Sequence, residues 1–500
     1  MHKIINLKWF KFSVGVILSI VSLCMFVTCS EDDSFTQDTN ALLTFESDTI
    51  TFDTIFATVP SSTRRIRIFN RSDKGVRIQS VSLASGGRSG FRINVDGFSG
   101  PDISAVEVAG RDSLFFFADV TPAVQTTDQP TEVCDTVRFR LENGIVQSLI
   151  LKAAVQNVDF IEENLLLHDF VIEKGRPCII RDSLVVGEEA TLTINPGAIL
   201  CFHDGAWLGV KGKLHVKGTV DSPVVFRGDR TDRMFSYLPY DRLDGQWGGI
   251  SLLEGCKECL IDHADIHGGA WGIRATDVDG ENPVLTLTNS SVHNVRGCAL
   301  QLTDINAVIA NSQMSNAGED CVQLEGGNYT FTHCTIAQFY PWSSCGYALS
   351  LSAGIADDYK PLQAANFYNC IITGRTGDQI NLSPPVNQDI PFVASFVGSL
   401  VNIELPNNTP EQYRIMFEGA VNEYDKFAHA STQPDDTKNS FGGGNFKSID
   451  DDVYYYDFHI DSLSNARGIG NAEKVGPYKV DKDGISRNSA NPDAGCYQFK

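Results

Sequence analysis

The chain has 500 residues, of which 42% are hydrophobic and 20% charged, so it is a folded protein of about two to four domains and not a disordered chain. Acidic residues outnumber basic ones 62 to 40, and the net charge of −22 excludes a generally cationic surface. We therefore expect no nucleic-acid partner. Apolar runs rich in Val, Ile and Phe favour β structure.

The N-terminal segment has the pattern of an export signal. Three lysines (Lys3, Lys8 and Lys11) precede an uncharged apolar run over 12–27, which Thr28 and Cys29 follow. The run is short for a transmembrane helix, and a polar segment follows it directly. We predict a signal peptide over 1–28, with a retained single-span anchor as the alternative.

The residues around the end of this run resemble a known anchoring motif. Phe26-Val27-Thr28-Cys29 resembles the lipobox of bacterial lipoproteins, which implies that Cys29 is acylated and inserted in a membrane leaflet. Ser30-Glu31-Asp32-Asp33 is similar to the signal that takes Bacteroidetes lipoproteins to the outer face of the outer membrane. The resemblance implies a lipid-anchored outer-membrane protein with an acidic tether over 29–41. The acidic cluster is otherwise a solvated tether without an addressing role.

Residues 42–158 alternate apolar and polar positions in short runs separated by polar turns. About seven strands at this spacing, with no helical period, predict an immunoglobulin-like β-sandwich. The segment resembles the Ig-like domains of the ASPM/hydin type in the order of its motifs: Ile68-Phe69-Asn70, Phe91-Arg92-Ile93, Asp112-Ser113-Leu114, Thr121-Pro122 and Leu149-Ile150-Leu151. We expect a spacer, an adhesion module or a packing cap for the next domain.

From about residue 190 the pattern changes to a repeat. Five segments align, at offsets of 26, 22, 22 and 36 residues: 261–266, 287–292, 309–314, 331–336 and 367–372. A period near 22 with short strands indicates a solenoid, and a right-handed parallel β-helix over 159–400 fits best. The fold class predicted for the chain is thus all-β.

Stacked coils place equivalent residues in columns along the axis. One polar column is expected at a corner, where Asn tolerates left-handed φ and side chains bond the next coil. Its members are His263, Asn289, Asn311, His333 and Asn369. An inward apolar column is expected at Ile266, Val292, Met314, Ile336 and Ile372.

The last hundred residues, 401–500, are expected to form C-terminal coils and a cap, because a terminal coil otherwise exposes apolar surface. The entry strand 245–250 and the closing Pro492-Asp493-Ala494-Gly495-Cys496-Tyr497 resemble right-handed, pectate-lyase-like β-helix surface proteins of Bacteroidetes. The resemblance covers roughly residues 160–500.

The chain has 13 cysteines. Cys334 and Cys370 occupy equivalent positions in neighbouring coils, and we expect small buried residues there and not a disulfide. Cys256 and Cys259 have metal-binding spacing, but no second such pair accompanies them, so we predict no metal site.

Asp262, His263, Asp265 and His267 form the densest cluster of titratable residues and are the candidate catalytic residues. One interpretation is a carboxylate–imidazole site, or a Ca²⁺ position, beside Trp271. The other is a solvated strand face next to the polar column, since strand alternation places Asp262 and His263 on opposite faces. The sequence predicts no cofactor, and Ca²⁺ is the one cation that stays an alternative.

The aromatic residues Trp247, Trp271, Tyr340 and Trp342 are candidates for stacking on sugar rings. The Asn-Thr-Asp, Gly-His-Gly and Arg-Ile-Lys motifs of polygalacturonases are missing from the sequence. The leading hypothesis is a non-catalytic glycan-binding or adhesion protein that binds a polysaccharide partner on the loop face of the β-helix. The alternatives are a polysaccharide lyase or glycoside hydrolase, so that enzymatic activity stays open, and a structural spacer.

Overall fold

The computed structural model describes residues 35–36, 38–278, 283–342, 344–355, 358–424 and 443–500. The expected signal peptide, Cys29 and most of the tether lie outside the described residues. The chain divides into two compact units. The first comprises the residues up to Phe52, Thr58–Ala123 and Glu132–Val155, and the second comprises Asp53–Ala57, Val124–Thr131 and Gln156–Lys500. No described helix is long and apolar enough to cross a bilayer.

The first unit is built on two antiparallel five-stranded sheets, with strand orders β1-β3-β8-β5-β6 and β2-β10-β9-β4-β7. Inward side chains alternate with outward ones, and Phe116 meets Phe139 of the other sheet with ring centroids 5.8 Å apart. This is a two-sheet sandwich with an apolar core. Its strands are β1 Leu43–Phe45, β2 Thr49–Phe56, β3 Arg64–Asn70, β4 Val76–Leu83, β5 Phe91–Val95, β6 Phe98–Ser99, β7 Asp102–Val108, β8 Ser113–Val120, β9 Thr131–Leu141 and β10 Val146–Gln156.

The second unit is a parallel β-helix built of three long parallel sheets, which confirms the predicted fold class. Sheet I contains β11 Asp159–Ile161, β14 Cys178–Ile180, β17 Ile199–Phe202, β20 Val224–Gly228, β25 Ala264–His267, β28 Ser291–Val295, β31 Gln313–Ala317, β34 Thr335–Gln338, β39 Ile371–Gly374, β42 Leu400–Val401 and β43 Val421–Asn422.

Sheet II contains β12 Leu165–Leu166, β15 Leu184–Val186, β18 Leu208–Val210, β23 Ile250–Leu252, β26 Ile273–Thr276, β29 Leu300–Thr303, β32 Val322–Glu325, β35 Leu349–Ser352 and β40 Ile380–Ser383. Sheet III contains β13 Phe170–Ile172, β16 Thr191–Ile194, β19 Lys213–Lys217, β24 Glu258–Asp262, β27 Leu285–Thr288, β30 Asn306–Ala310, β33 Gly327–Thr332, β38 Leu362–Tyr368 and β41 Phe392–Val397.

Short elements decorate the coils. Within the described ranges, three hairpins pair β21 Arg233–Phe235 with β22 Leu238–Pro239, β36 Gly354–Ile355 with β37 Asp358–Tyr359, and β44 Phe446–Asp450 with β45 Tyr455–Ile460. The helical segments of this part of the chain are α1 Glu411–Arg414 and the 3-10 turns Tyr240–Arg242, Ile415–Phe417, Gly443–Asn445 and Ala472–Lys474.

Apolar columns fill the interior of the β-helix. Ile266, Val292, Met314, Ile336 and Ile372 pair in register along sheet I and are all fully buried. A second column stacks Phe331, Phe367, Phe396 and Phe417 with centroids 4.9, 4.7 and 4.5 Å apart. Because Phe417 lies in the turn that follows α1, this segment covers the end of the solenoid.

The five residues of the polar column stand at one corner of successive coils. Each has positive φ, between 48° and 56°: His263, Asn289, Asn311, His333 and Asn369. Asn311 Nδ2 donates to Asn289 Oδ1 at 3.1 Å, and Asn369 Nδ2 donates to His333 Nε2 at 3.1 Å. The corner therefore combines the left-handed turn with side-chain bonds between coils.

The C-terminal segment, expected to form coils and a cap, divides into two parts. Residues 400–422 extend the coils, but 443–500 lie along the outward face of sheet I, where Tyr497 Oη donates to Gln313 Oε1 at 3.1 Å. Ala337 and Ile371 share a buried cluster with Phe458 and other residues of this segment. The physical reason is that outward positions of sheet I are apolar here and need cover along the side.

Candidate functional site

The strongest candidate site is a cluster of Asp265, His267 and His293 on the outward face of sheet I. Asp265 and His267 flank the inward Ile266 on β25, so strand alternation turns both outward. The register of β25 and β28 places His293 directly beside His267, with ring centroids 5.2 Å apart. Two adjacent coils thus build one cluster.

One carboxylate oxygen links the two imidazoles. Asp265 Oδ1 lies 2.9 Å from His293 Nε2 and 3.2 Å from His267 Nδ1. The other ring nitrogen of His267, Nε2, lies 3.0 Å from Asp241 Oδ1 in the Tyr240–Arg242 turn. Asp241 in turn pairs with Arg227, at 2.9 Å. The contacts from Arg227 to Asp241 and from Asp241 to Nε2 therefore fix the orientation of the His267 ring.

The two carboxylates shift the proton affinity of His267. Burial alone would lower the pKa of His267, but the charge of Asp265 and the hydrogen bond to Asp241 outweigh burial and raise that pKa to about 10. Burial would likewise raise the pKa of Asp265, but the imidazolium charges hold it well below its ordinary value. These shifts favour a protonated His267 beside an ionised Asp265.

The four predicted catalytic candidates separate into two places. Asp262 lies at the corner, where it accepts hydrogen bonds from Thr288 Oγ1 and Asn289 Nδ2, both at 2.8 Å. His263 Nδ1 is 3.1 Å from Asp262 Oδ1, so the expectation that these two residues face apart is wrong. The reason is the positive φ of His263, which ends the strand and its alternation. Asp262 and His263 serve the polar column.

Sequence reasoning missed His293, Asp241 and Arg227. His293 lies 26 residues after His267, which is the offset that separates His263 from Asn289. Extending the repeat alignment by one position beyond Ile266 and Val292 would have found this pair. Asp241 lies in an irregular turn and carries no comparable signal. Arg227 lies on β20 directly after Phe226, the register partner of Ile266, but the long insertion between β20 and β25 hides this register in the sequence.

The four predicted aromatic residues differ in their surroundings. Trp247 is buried, stacks on Phe202 at 4.4 Å and donates its indole N–H to His267 O at 2.8 Å, so a sugar contact by Trp247 is wrong. Its ring fills the core because an isolated bridge pairs this residue with the next coil. Trp271 has the guanidinium of Arg274 3.6 Å from its ring centroid.

Tyr340 ties two loops together, since its hydroxyl donates to Asp244 Oδ2 at 2.7 Å. Trp342 is different, because 45% of its surface is exposed. It stacks on Tyr454 with centroids 4.7 Å apart and an interplanar angle of 14°.

Trp342 belongs to a larger set of rings that we call the aromatic surface. Phe235, Tyr237, Trp342 and Tyr455 are exposed, and Tyr454 is half-buried. Phe235 and Tyr237 form a second stacked pair, 5.7 Å apart at 14°, on the hairpin that leads into Asp241. Arg242 connects the two sides, since it donates to Val453 O at 2.7 Å and lies 5.7 Å from the Tyr455 ring. The aromatic surface therefore adjoins the turn that orients His267.

The cysteine pairs singled out from the sequence lie in the interior of the second unit. Cys256 and Cys259 are fully buried in the apolar core, and burial raises the pKa of both thiols. The 11 cysteines among the described residues are all free, including Cys334 and Cys370. Both pairs are thus small buried core residues.

Comparisons with known proteins leave the family open. No family model matches the chain, and no curated protein matches it. A solved structure of a protein of unknown function from Porphyromonas gingivalis is 11% identical, with 26% of this chain and 51% of that chain covered and a TM-score of 0.19. The chain thus spans about half of that protein's length.

Two further solved structures are similar at this level. The catalytic unit of an α-1,3-glucanase from Streptomyces thermodiastaticus is 11% identical over 67% of this chain and 73% of that chain, with a TM-score of 0.25. The ASH/PapD-like domain of human CEP192 is 11% identical over 24% and 89%, with a TM-score of 0.17. Scores this low carry no argument about fold or function.

Proposed function

We propose that this protein is a lipid-anchored cell-surface protein of the outer membrane that binds neutral glycans without cleaving them. The aromatic surface is the observation that supports glycan binding most directly. Large exposed rings are costly to leave in water unless they bind a ligand, and two stacked pairs offer flat apolar faces. The apolar face of a pyranose ring packs on such a surface, while its hydroxyl groups reach nearby polar side chains.

The charge of the chain favours a neutral glycan. At a net charge of −22, the protein repels polyanionic chains at low ionic strength. Beside the rings, the guanidinium of Arg242 and the carboxylate of Asp451 supply a donor and an acceptor for sugar hydroxyl groups. Uncharged polysaccharides are therefore the class expected to bind.

The test measures binding of the purified protein to neutral and uronate polysaccharides, with and without Ca²⁺. Trp342→Ala and Tyr237→Ala each remove one member of a stacked pair, and a lost aromatic contact of about 0.5–1.5 kcal/mol weakens binding about 2- to 12-fold. Phe98→Ala is the matched control, because Phe98 is an exposed ring of the first unit. Equal binding by all three variants would place the glycan site elsewhere, and no binding to any neutral glycan would refute the proposal.

A glycan-cleaving enzyme is the second candidate function. It is favoured by the polarised Asp265–His267–His293 cluster, whose orienting turn adjoins the aromatic surface. New reducing ends or unsaturated uronates, measured in the same binding reactions, would establish it. Product that persists in Asp265→Asn would exclude this cluster as the catalytic site.

A further inference from the structure

We infer that Asp265, His267 and His293 bind a first-row transition-metal dication, for which Zn²⁺ is the probe. This goes beyond glycan binding and does not depend on it. Among the residues the structure describes, these three form the one group of His, Cys, Asp or Glu side chains whose donor atoms all lie within 4.8 Å of one another. The inference rests on the geometry of these donors and on the groups behind them.

The donor spacing fits one shared ion. Zn²⁺ binds imidazole nitrogen and carboxylate oxygen at about 2.0–2.2 Å, so neighbouring ligands of a tetrahedral ion stand about 3.3–3.5 Å apart. Asp265 Oδ1 is 2.9 Å from His293 Nε2 and 3.2 Å from His267 Nδ1. The two imidazole nitrogens lie within 4.8 Å of one another, so small side-chain movements bring all three donors to tetrahedral spacing around one ion.

The group behind His267 has the arrangement of an outer ligand shell. A metal-binding imidazole commonly gives its second nitrogen to a carboxylate, which fixes the ring orientation. Here Asp241 Oδ1 meets Nε2 of His267 at 3.0 Å, which leaves Nδ1 toward Asp265 and His293. Arg227 holds Asp241 in turn.

The backbone that carries the donors is rigid. β25 and β28 are paired in register, and the carbonyl of His267 accepts the buried indole N–H of Trp247. Sites built on strands hold ligands more accurately than sites on loops. The donors are therefore held in position before an ion binds.

The donor types select the ion. Two imidazole nitrogens and one carboxylate suit Zn²⁺ and its first-row neighbours, whereas Ca²⁺ takes six to eight oxygen ligands. The Ca²⁺ considered from the sequence therefore does not fit these three side chains. Asp265 is 39% exposed and His293 26%, so the cluster opens to solvent on one side. A water molecule or a ligand oxygen would take the fourth position there.

The test titrates the chelator-treated full-length protein with Zn²⁺ and, separately, with Ca²⁺ by calorimetry, without any glycan. We expect one Zn²⁺ per chain, no Ca²⁺ at the same concentrations, and a tetrahedral Co²⁺ absorption spectrum. His293→Ala and Asp265→Asn should each abolish this binding. Asp241→Asn keeps all three ligands and should weaken it about 10- to 100-fold, as the loss of an outer-shell partner does.

The matched control is His215→Ala. His215 is a partly buried solenoid histidine paired with Glu258 at 2.7 Å, without a third donor. This variant should bind Zn²⁺ as the unmodified protein does. Circular dichroism and the unfolding midpoint verify that each variant is folded, and His293→Gln replaces His293→Ala if the latter is not. Absence of Zn²⁺ binding, or binding that survives in both folded ligand variants, would overturn the inference.

Discussion

His333 gives the solenoid a specific sensitivity to acid. It is fully buried in the polar column, and burial, together with the charge of Arg487, lowers its pKa to about 2. Its neighbour supports this direction. The amide of Asn369 is fixed by the backbone of Asn471, to which it donates at 3.1 Å and from which it accepts at 2.6 Å. Its Nδ2 is therefore a donor toward His333 Nε2, which must be unprotonated to accept.

The sign and size of the effect follow from linkage. The folded-state pKa of about 2 lies below the unfolded value of about 6.5, so the stability that neutral His333 contributes is complete above pH 6.5 and is lost as the pH falls. Each pH unit below 6.5 costs about 1.36 kcal/mol. At pH 4.5 the loss is about 2.7 kcal/mol, on the order of a quarter of a typical domain's stability.

The assay compares the unmodified protein with His333→Asn in denaturant unfolding at pH 7.5 and pH 4.5. Asn is the matched replacement, because three other coils have it at this corner with positive φ. Four of the five tryptophans, Trp207, Trp247, Trp271 and Trp342, belong to the second unit, and the fifth, Trp9, lies in the expected signal peptide. The tryptophan fluorescence of protein purified without residues 1–28 therefore reports the solenoid. We expect the unmodified protein to lose about 2.7 kcal/mol more than the variant between the two pH values. Equal losses would refute the assignment of a buried neutral imidazole.

Two further predictions concern the core and the anchor. Phe367→Ala interrupts the column of stacked rings between Phe331 and Phe396 and should destabilise the solenoid by about 3–5 kcal/mol. The same change at the exposed Phe115 should cost less than about 1 kcal/mol. Similar unfolding midpoints for the two variants would contradict the stacking argument. Cys29→Ala should abolish metabolic labelling with palmitate and release the protein from the membrane fraction, and a labelled variant would disprove the anchor.

The repeat allowed the β-helix fold to be predicted from the sequence alone. Each coil buries its own apolar residues at local spacing, so the alignment of Ile266, Val292 and Met314 already defined a column. The corner with the polar column could also be predicted, since Asn at equivalent positions indicates a left-handed turn. Alternation is also local, and it predicted about seven of the ten sandwich strands; β1, β6 and β7 were missed.

Only part of the candidate site could be predicted from the sequence. Asp265 and His267 lie two residues apart on one strand, but their partners come from another coil and from an irregular turn. The exposure of the aromatic residues could not be predicted from the sequence either. Trp247 and Trp342 both lie in irregular segments of the chain, and only packing buries the first ring and leaves the second in water.

Local patterns thus predicted the all-β class, the repeat, the inward apolar columns and the polar corner, because all of these depend on residues close in the chain. Which outward residues meet depends on how the coils pack on one another. The Asp265–His267–His293 cluster needs the register of adjacent coils, and the aromatic surface needs the turn at Val453 to reach Arg242, 211 residues away. The path of residues 443–500 along sheet I also depended on apolar outward positions that no local pattern distinguishes from the core.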